Sequence, residues 1–230
     1  MAGYAPWRVV CGGLLAIGVL LGGRPGGVCA AEHCPVTIDG AVDPRLAGLA
    51  PDARIDFIDA HLAAVAKRAR IWTWGWGGGI AASGVASLAV VPFVDRADRV
   101  DWYTSAASAA IGVIPFAVAP LVVMRDAREL HADVLTARQG AATDLCPLLR
   151  DAESRLARDA ADQRAQQAWW LHAGNVAFNT GIVLFLGLAF HHWTSGLING
   201  LSGVAVGEAI LLTQPVGSVR DLQTYRTASF

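Results

Sequence analysis

Two apolar stretches separated only by His191-His192 constrain this chain more than any other feature. Residues 169–190 open with Trp169-Trp170 and end at Phe190, and residues 193–212 run from Trp193 to Leu212. Each is about 20 residues long, the length at which a helix crosses a hydrocarbon core about 30 Å thick. Inside lipid a helix satisfies its own backbone groups, and so short a break turns the second helix back along the first. The tryptophans at the ends suit the headgroup layer, where amphipathic rings settle.

A second pair precedes this one. Residues 71–94 carry no charge and open with Trp72, Trp74 and Trp76, again an interfacial belt. Asp95 to Asp101 forms a tight charged loop, and residues 102–124 cross back, with Pro115 and Pro120 expected to kink the helix. The predicted fold class is an all-α membrane protein with four transmembrane helices in two hairpins, 71–124 and 169–213. Composition agrees: 54% of residues are hydrophobic and 16% charged, well below the share in a soluble globule. The net charge of −1 gives no basic excess with which to bind nucleic acid.

Residues 1–31 have the order of a secretory signal. Arg8 precedes an apolar run from Val9 to Leu21, a Gly/Pro break follows, and Cys29-Ala30-Ala31 offers small residues for cleavage. An uncleaved N-terminal anchor is the alternative, and either places the next segment outside the cytoplasm. Cleavage leaves Cys34 and Cys146, each followed by proline, as one disulfide in an oxidising compartment.

Residues 32–70 read as a loop followed by an amphipathic helix capped by Asp52, with Ile55, Ile58, Leu62 and Val65 on one face. Residues 125–168 read as a helical hairpin. Its first arm continues the preceding span and stops at Gly140; its second starts near Thr143 or Asp144 and runs on into the next span. Asp151/Arg155, Arg155/Asp159 and Arg158/Asp162 stand four apart, so the exposed face is expected to be laced with ion pairs. Residues 214–230 read as a polar tail, mobile apart from a short docked piece. A faint parallel repeat links the halves: Arg68, Trp74, Gly78 and Leu88 align ungapped with Arg164, Trp170, Gly174 and Leu184.

The signal places 32–70, 125–168 and the C-terminus outside the cytoplasm, with the spans in a bacterial inner membrane. The positive-inside rule argues the opposite, because seven arginines lie in 125–168 and only Arg96 and Arg99 in the opposing loops. The order of parts in 1–31 and the cysteine pair decide for the signal.

Within the spans, Glu208, His172, Asn175 and Asn179 are groups that hydrocarbon does not tolerate unpaired, and they are the candidates for a proton or ion relay. The opposing reading is that they hydrogen-bond to each other and fix helix register. Gly75, Gly79, Ser83, Gly203 and Gly207 supply small-residue ridges on which another helix can pack closely. Gly200-Leu-Ser-Gly203 resembles the Gly-x-Ser-Gly signature of rhomboid intramembrane serine proteases, which would make Ser202 a nucleophile. That family's serine works with a histidine on a later span within a six-span core. No histidine follows Ser202 here, and His191-His192 precede it at the wrong end. His33, Cys34, His61, His131 and Cys146 lack the paired spacing of a metal site, so no metal or cofactor is expected.

The expectation is a structural or accessory subunit of an envelope complex without enzymatic activity. Its partners are the bilayer and either further copies or other membrane proteins. A small carrier or channel using Glu208 and His172 is the alternative.

Overall fold

A computed structural model describes residues 34, 45, 46, 48–140 and 144–228. The signal expected over 1–31, with Cys11, Cys29 and also His33, lies outside the described residues. The described residues are helical, with no strand among them, and four helices are long and apolar enough to cross a membrane.

Helix α1 (Pro51–Val90) opens with Pro51, whose missing N–H costs nothing at a helix start, and Asp52 complements the positive end of the helix dipole. The amphipathic helix and the first span, two elements by sequence pattern, are one rod of 40 residues, about 60 Å long. No proline interrupts the run at Arg70-Ile71, so the helix passes from polar surroundings into apolar ones without a turn. It ends at Val91-Pro92-Phe93, a single tight turn where proline prevents continuation.

Helix α2 (Arg99–Val118) contains Pro115 and stops at Ala119. The expected continuous passage into the next helix does not occur. Pro120 excludes the helical conformation for Ala119, which sits at φ −130° and ψ 64°, and α3 (Val122–Gln139) starts afresh. Helix α3 ends at Gly140 as the sequence indicates, and Gly140 N–H donates to Thr136 O at 3.0 Å. Helix α4 (Cys146–Ala165) starts where Asp144 Oδ1 accepts the Cys146 N–H at 2.8 Å, with Pro147 in its first turn.

The expected run of α4 into the third span also breaks, at Gln166–Ala168, although neither glycine nor proline stands there. Gln166 instead accepts a hydrogen bond from the Gln214 amide and donates to Asp162 Oδ2 at 2.7 Å. Helix α5 (Trp169–Leu184) then begins and continues as a π-helical segment over Phe185–Ala189. Helix α6 (Trp193–Thr213) returns.

Residues 217–226 correct the sequence reading most. Gly217–Arg226 is a helix, α7, with Ser218, Leu222 and Tyr225 buried. Gly217 lies so close to α1 that an added Cβ would stand 2.3 Å from Val65 Cγ2. One core therefore unites α1, α3, α4 and α7: Ile58, Leu62 and Val65 meet Leu130, Leu149, Leu156, Leu222 and Tyr225. Cys34 and Cys146 are disulfide-bonded, with Cα atoms 5.2 Å apart, and this ties the N-terminal segment to α4. The first half of α1 and helices α3, α4 and α7 thus share one end of the described structure.

Polar groups are enclosed in this core as well. Arg54 is 1% exposed; it ion-pairs with Glu153, and its Nε donates to the Tyr225 hydroxyl at 2.9 Å, which in turn donates to Glu153. The ion-pair ladder expected along α4 forms only in part. Arg155 Nε donates to Asp151 Oδ2 at 2.6 Å, but Arg158 turns to Asp126 on α3, and Asp159 is buried.

Candidate functional site

His172, Asn175 and Asn179 recur at intervals of three and four, which places them on one face of α5. On α6, Gly200, Gly203 and Gly207 repeat the same intervals. The two series interlock. A Cβ built on Gly203 would lie 1.8 Å from Asn179 Oδ1, and one on Gly207 would lie 2.1 Å from Asn175 Oδ1. The missing side chains are the seats for the two amides. At Gly200 the same space is taken by Val183, whose Cγ2 would be 2.3 Å from an added Cβ.

The polar atoms form a chain along this seam. Glu208 Oε2 lies 2.5 Å from His172 Nδ1, and Glu208 Oε1 accepts from Asn175 Nδ2 at 3.0 Å. Asn175 Nδ2 also donates to Val204 O at 3.1 Å, while Asn179 Nδ2 donates to Asn175 Oδ1 at 2.9 Å. Both carboxylate oxygens therefore have partners, as groups removed from water require. His172 stands three residues after the start of α5 and Glu208 five before the end of α6, so the pair sits about 5–8 Å inside the helix ends nearest the helical domain.

The two helix pairs, α1–α2 and α5–α6, meet mainly through polar ties at their ends. Near the helical domain Trp72 Nε1 and Trp76 Nε1 donate to Thr213 Oγ1 at 3.3 and 3.0 Å. Toward the opposite end Ser105 Oγ donates to Asn199 Oδ1 at 2.6 Å, and at the turns His192 Nδ1 lies 2.9 Å from Asp101 Oδ1. Between these ties is a cleft of about 420 Å³ lined by Ser83, Ser87, Ser105, Ser108, Asn179, Asn199 and Ser202. A second cavity of about 610 Å³ borders it at Asn175, Phe178 and Gly207; it is apolar, with Trp72, Phe116 and Trp170 in its wall and Gln166 and Gln214 at one side.

The remaining residues singled out in the sequence fall as follows. A Cβ added at Gly75 or Gly79 would meet nothing within 4 Å, so their ridge is open among the described residues. The close approaches between α1 and α2 are made at Gly77, against Phe116, and at Gly84, against Ala109. Ser83 faces the cleft and donates to Ile80 O at 2.7 Å. Ser202 also faces the cleft and hydrogen-bonds to no histidine among the described residues; His172 and His192 are engaged with Glu208 and Asp101. His61 and His131 pair with Asp221 and Asp59 at 2.9 and 3.0 Å, and the two cysteines are bonded to each other, so these four do not cluster among the described residues.

Sequence reasoning missed the Asp101–His192 and Ser105–Asn199 contacts. The signal was present: both turns lie at the same end of the spans, so polar residues in one can reach the other. Comparison with protein families, with curated proteins and with solved structures gives no significant match.

Proposed function

We propose that this chain is a structural or accessory subunit of a bacterial envelope complex, built into the inner membrane with 32–70, 125–168 and the C-terminus on the extracytoplasmic side. The observation that carries this reading is the closed hydrogen-bond chain from His172 through Glu208 and Asn175 to Asn179. Through it the polar groups of the two spans fasten α5 to α6 and fix their register, the structural role such groups take when they pair with one another. The glycine ridge at Gly75 and Gly79, without a neighbour within 4 Å among the described residues, supports a second helix, from another copy or another protein, lying on α1. The Cys34–Cys146 bond supports the orientation, because disulfides persist on the oxidising side.

Purification of the full chain in mild detergent tests this reading. A complex larger than the monomer, which Gly79→Leu dissolves, is expected; a monomer that binds no other membrane protein removes it. The cleft lined by serine and asparagine favours a second reading, a small carrier. In that case Glu208→Gln would abolish ion flux in vesicles while the protein still accumulates, and unchanged flux would end the idea.

A further inference from the structure

We propose that Asp98, Asp101 and His192 bind one divalent transition-metal ion, which clips the α1–α2 turn to the α5–α6 turn. One ligand atom from each of the three residues lies within 4.8 Å of the others. An ion with bonds of about 2.1 Å holds neighbouring ligands about 3 Å apart at right angles and about 3.4 Å apart in a tetrahedron. His192 Nδ1 and Asp101 Oδ1, at 2.9 Å, already stand at such a spacing. The ligand set, one imidazole and two carboxylates, suits Zn²⁺, Mn²⁺ or Fe²⁺, and water completes the shell. On binding, the ion takes the place of the proton between Nδ1 and Oδ1, and that proton leaves to solvent.

The two carboxylates carry no ion pair to a neighbouring arginine among the described residues. Arg96 and Arg99 lie in the same turn, and Arg99 Nε donates to Val94 O at 3.4 Å. His192 is also held in place by its backbone. His191 adopts φ 61°, and the His192 N–H donates to Leu186 O at 3.0 Å, so the turn presents the imidazole toward α2. Ligands arriving from two turns far apart in sequence make the site a property of the assembled bundle.

Tag-free, full-length protein in detergent, stripped with chelator, is titrated separately with Zn²⁺ and Mn²⁺. One ion per chain is expected for at least one of them. His192→Ala and Asp101→Asn should each weaken binding by about tenfold or more, since even losing a group that only orients a ligand costs about 10–100-fold. Asp98→Asn provides the variant that leaves the fold intact, because its carboxylate is exposed and makes no ion pair among the described residues; it should also weaken binding, whereas His131→Ala, whose imidazole pairs with Asp59 away from both turns, should not. Absence of binding at about 100-fold the concentration typical of a structural site, or binding indifferent to Asp98→Asn and His192→Ala, overturns the proposal.

Discussion

Replacing Asp159 with asparagine should stabilise the helical domain at neutral pH. The side chain is 1% exposed, and neither carboxylate oxygen has a hydrogen-bonding partner among the described residues. Arg158, the nearby cation, is committed to Asp126, with Nε and Nη2 at 3.1 and 2.5 Å from Asp126 Oδ2. Burial first, and then the charge of Asp126, push the Asp159 carboxyl up from 3.8 to about 8. At neutral pH it is therefore protonated, and its hydroxyl can donate to Asp126, whose Oδ1 accepts no other hydrogen bond among the described residues and has Arg125 Nε at 3.5 Å.

In the unfolded chain the same group loses its proton near 3.8, so between 3.8 and about 8 the folded form binds more protons. Stability from this group is complete below the lower value and lost as pH rises through the upper one. At pH 7 the difference corresponds to at most about 4 kcal/mol, and relaxation around the buried group reduces it to about 2. Asparagine carries no proton to lose, and its amide can still donate to Asp126. Thermal unfolding of wild type and Asp159→Asn in detergent, from pH 4 to 9, measures the difference directly. The advantage of the variant should be near zero at pH 4, grow to about 5 °C or more at pH 7 and level off above pH 8. Parallel curves, or a variant less stable at pH 7, would refute the argument.

Three further outcomes are expected. Gly203→Ala forces a Cβ into the space of Asn179 Oδ1 and should loosen α5 from α6; adding Asn179→Ala should restore part of the loss, seen as non-additivity in a double-mutant cycle of melting temperatures. Cys34→Ser removes a cross-link over a sequence separation of 112 residues and should cost about 4 kcal/mol, with reductant reproducing the shift in wild type but not in the variant. Tyr225→Phe leaves Glu153 and Arg54 without the hydroxyl between them and should cost about 1–3 kcal/mol in the same assay, whereas an unchanged melt would show that the hydroxyl is dispensable.

Much of the architecture was legible because lipid imposes a simple rule on sequence: long uncharged runs bounded by tryptophan must be helical. The four apolar helices, the stop at Gly140 and the buried face of Ile55, Ile58, Leu62 and Val65 follow from composition and period alone. The polar residues of the third and fourth spans could be named one by one. Their union into a chain seated on Gly203 and Gly207 could not, because it depends on the relative rotation of two helices.

Local pattern failed where distant partners outweighed it. The polar stretch 217–226 carries few apolar residues, yet Leu222 and Tyr225 complete a core whose other walls are α1, α3 and α4. Asp159 looked like a rung in a surface ladder, and the break at Gln166–Ala168 has no breaker residue. Sequence by itself determined which segments leave water, since that transfer depends on the residues of one helix. Tertiary structure decided which polar groups meet, since hydrogen bonds between elements exist only once packing has brought both partners within about 3 Å.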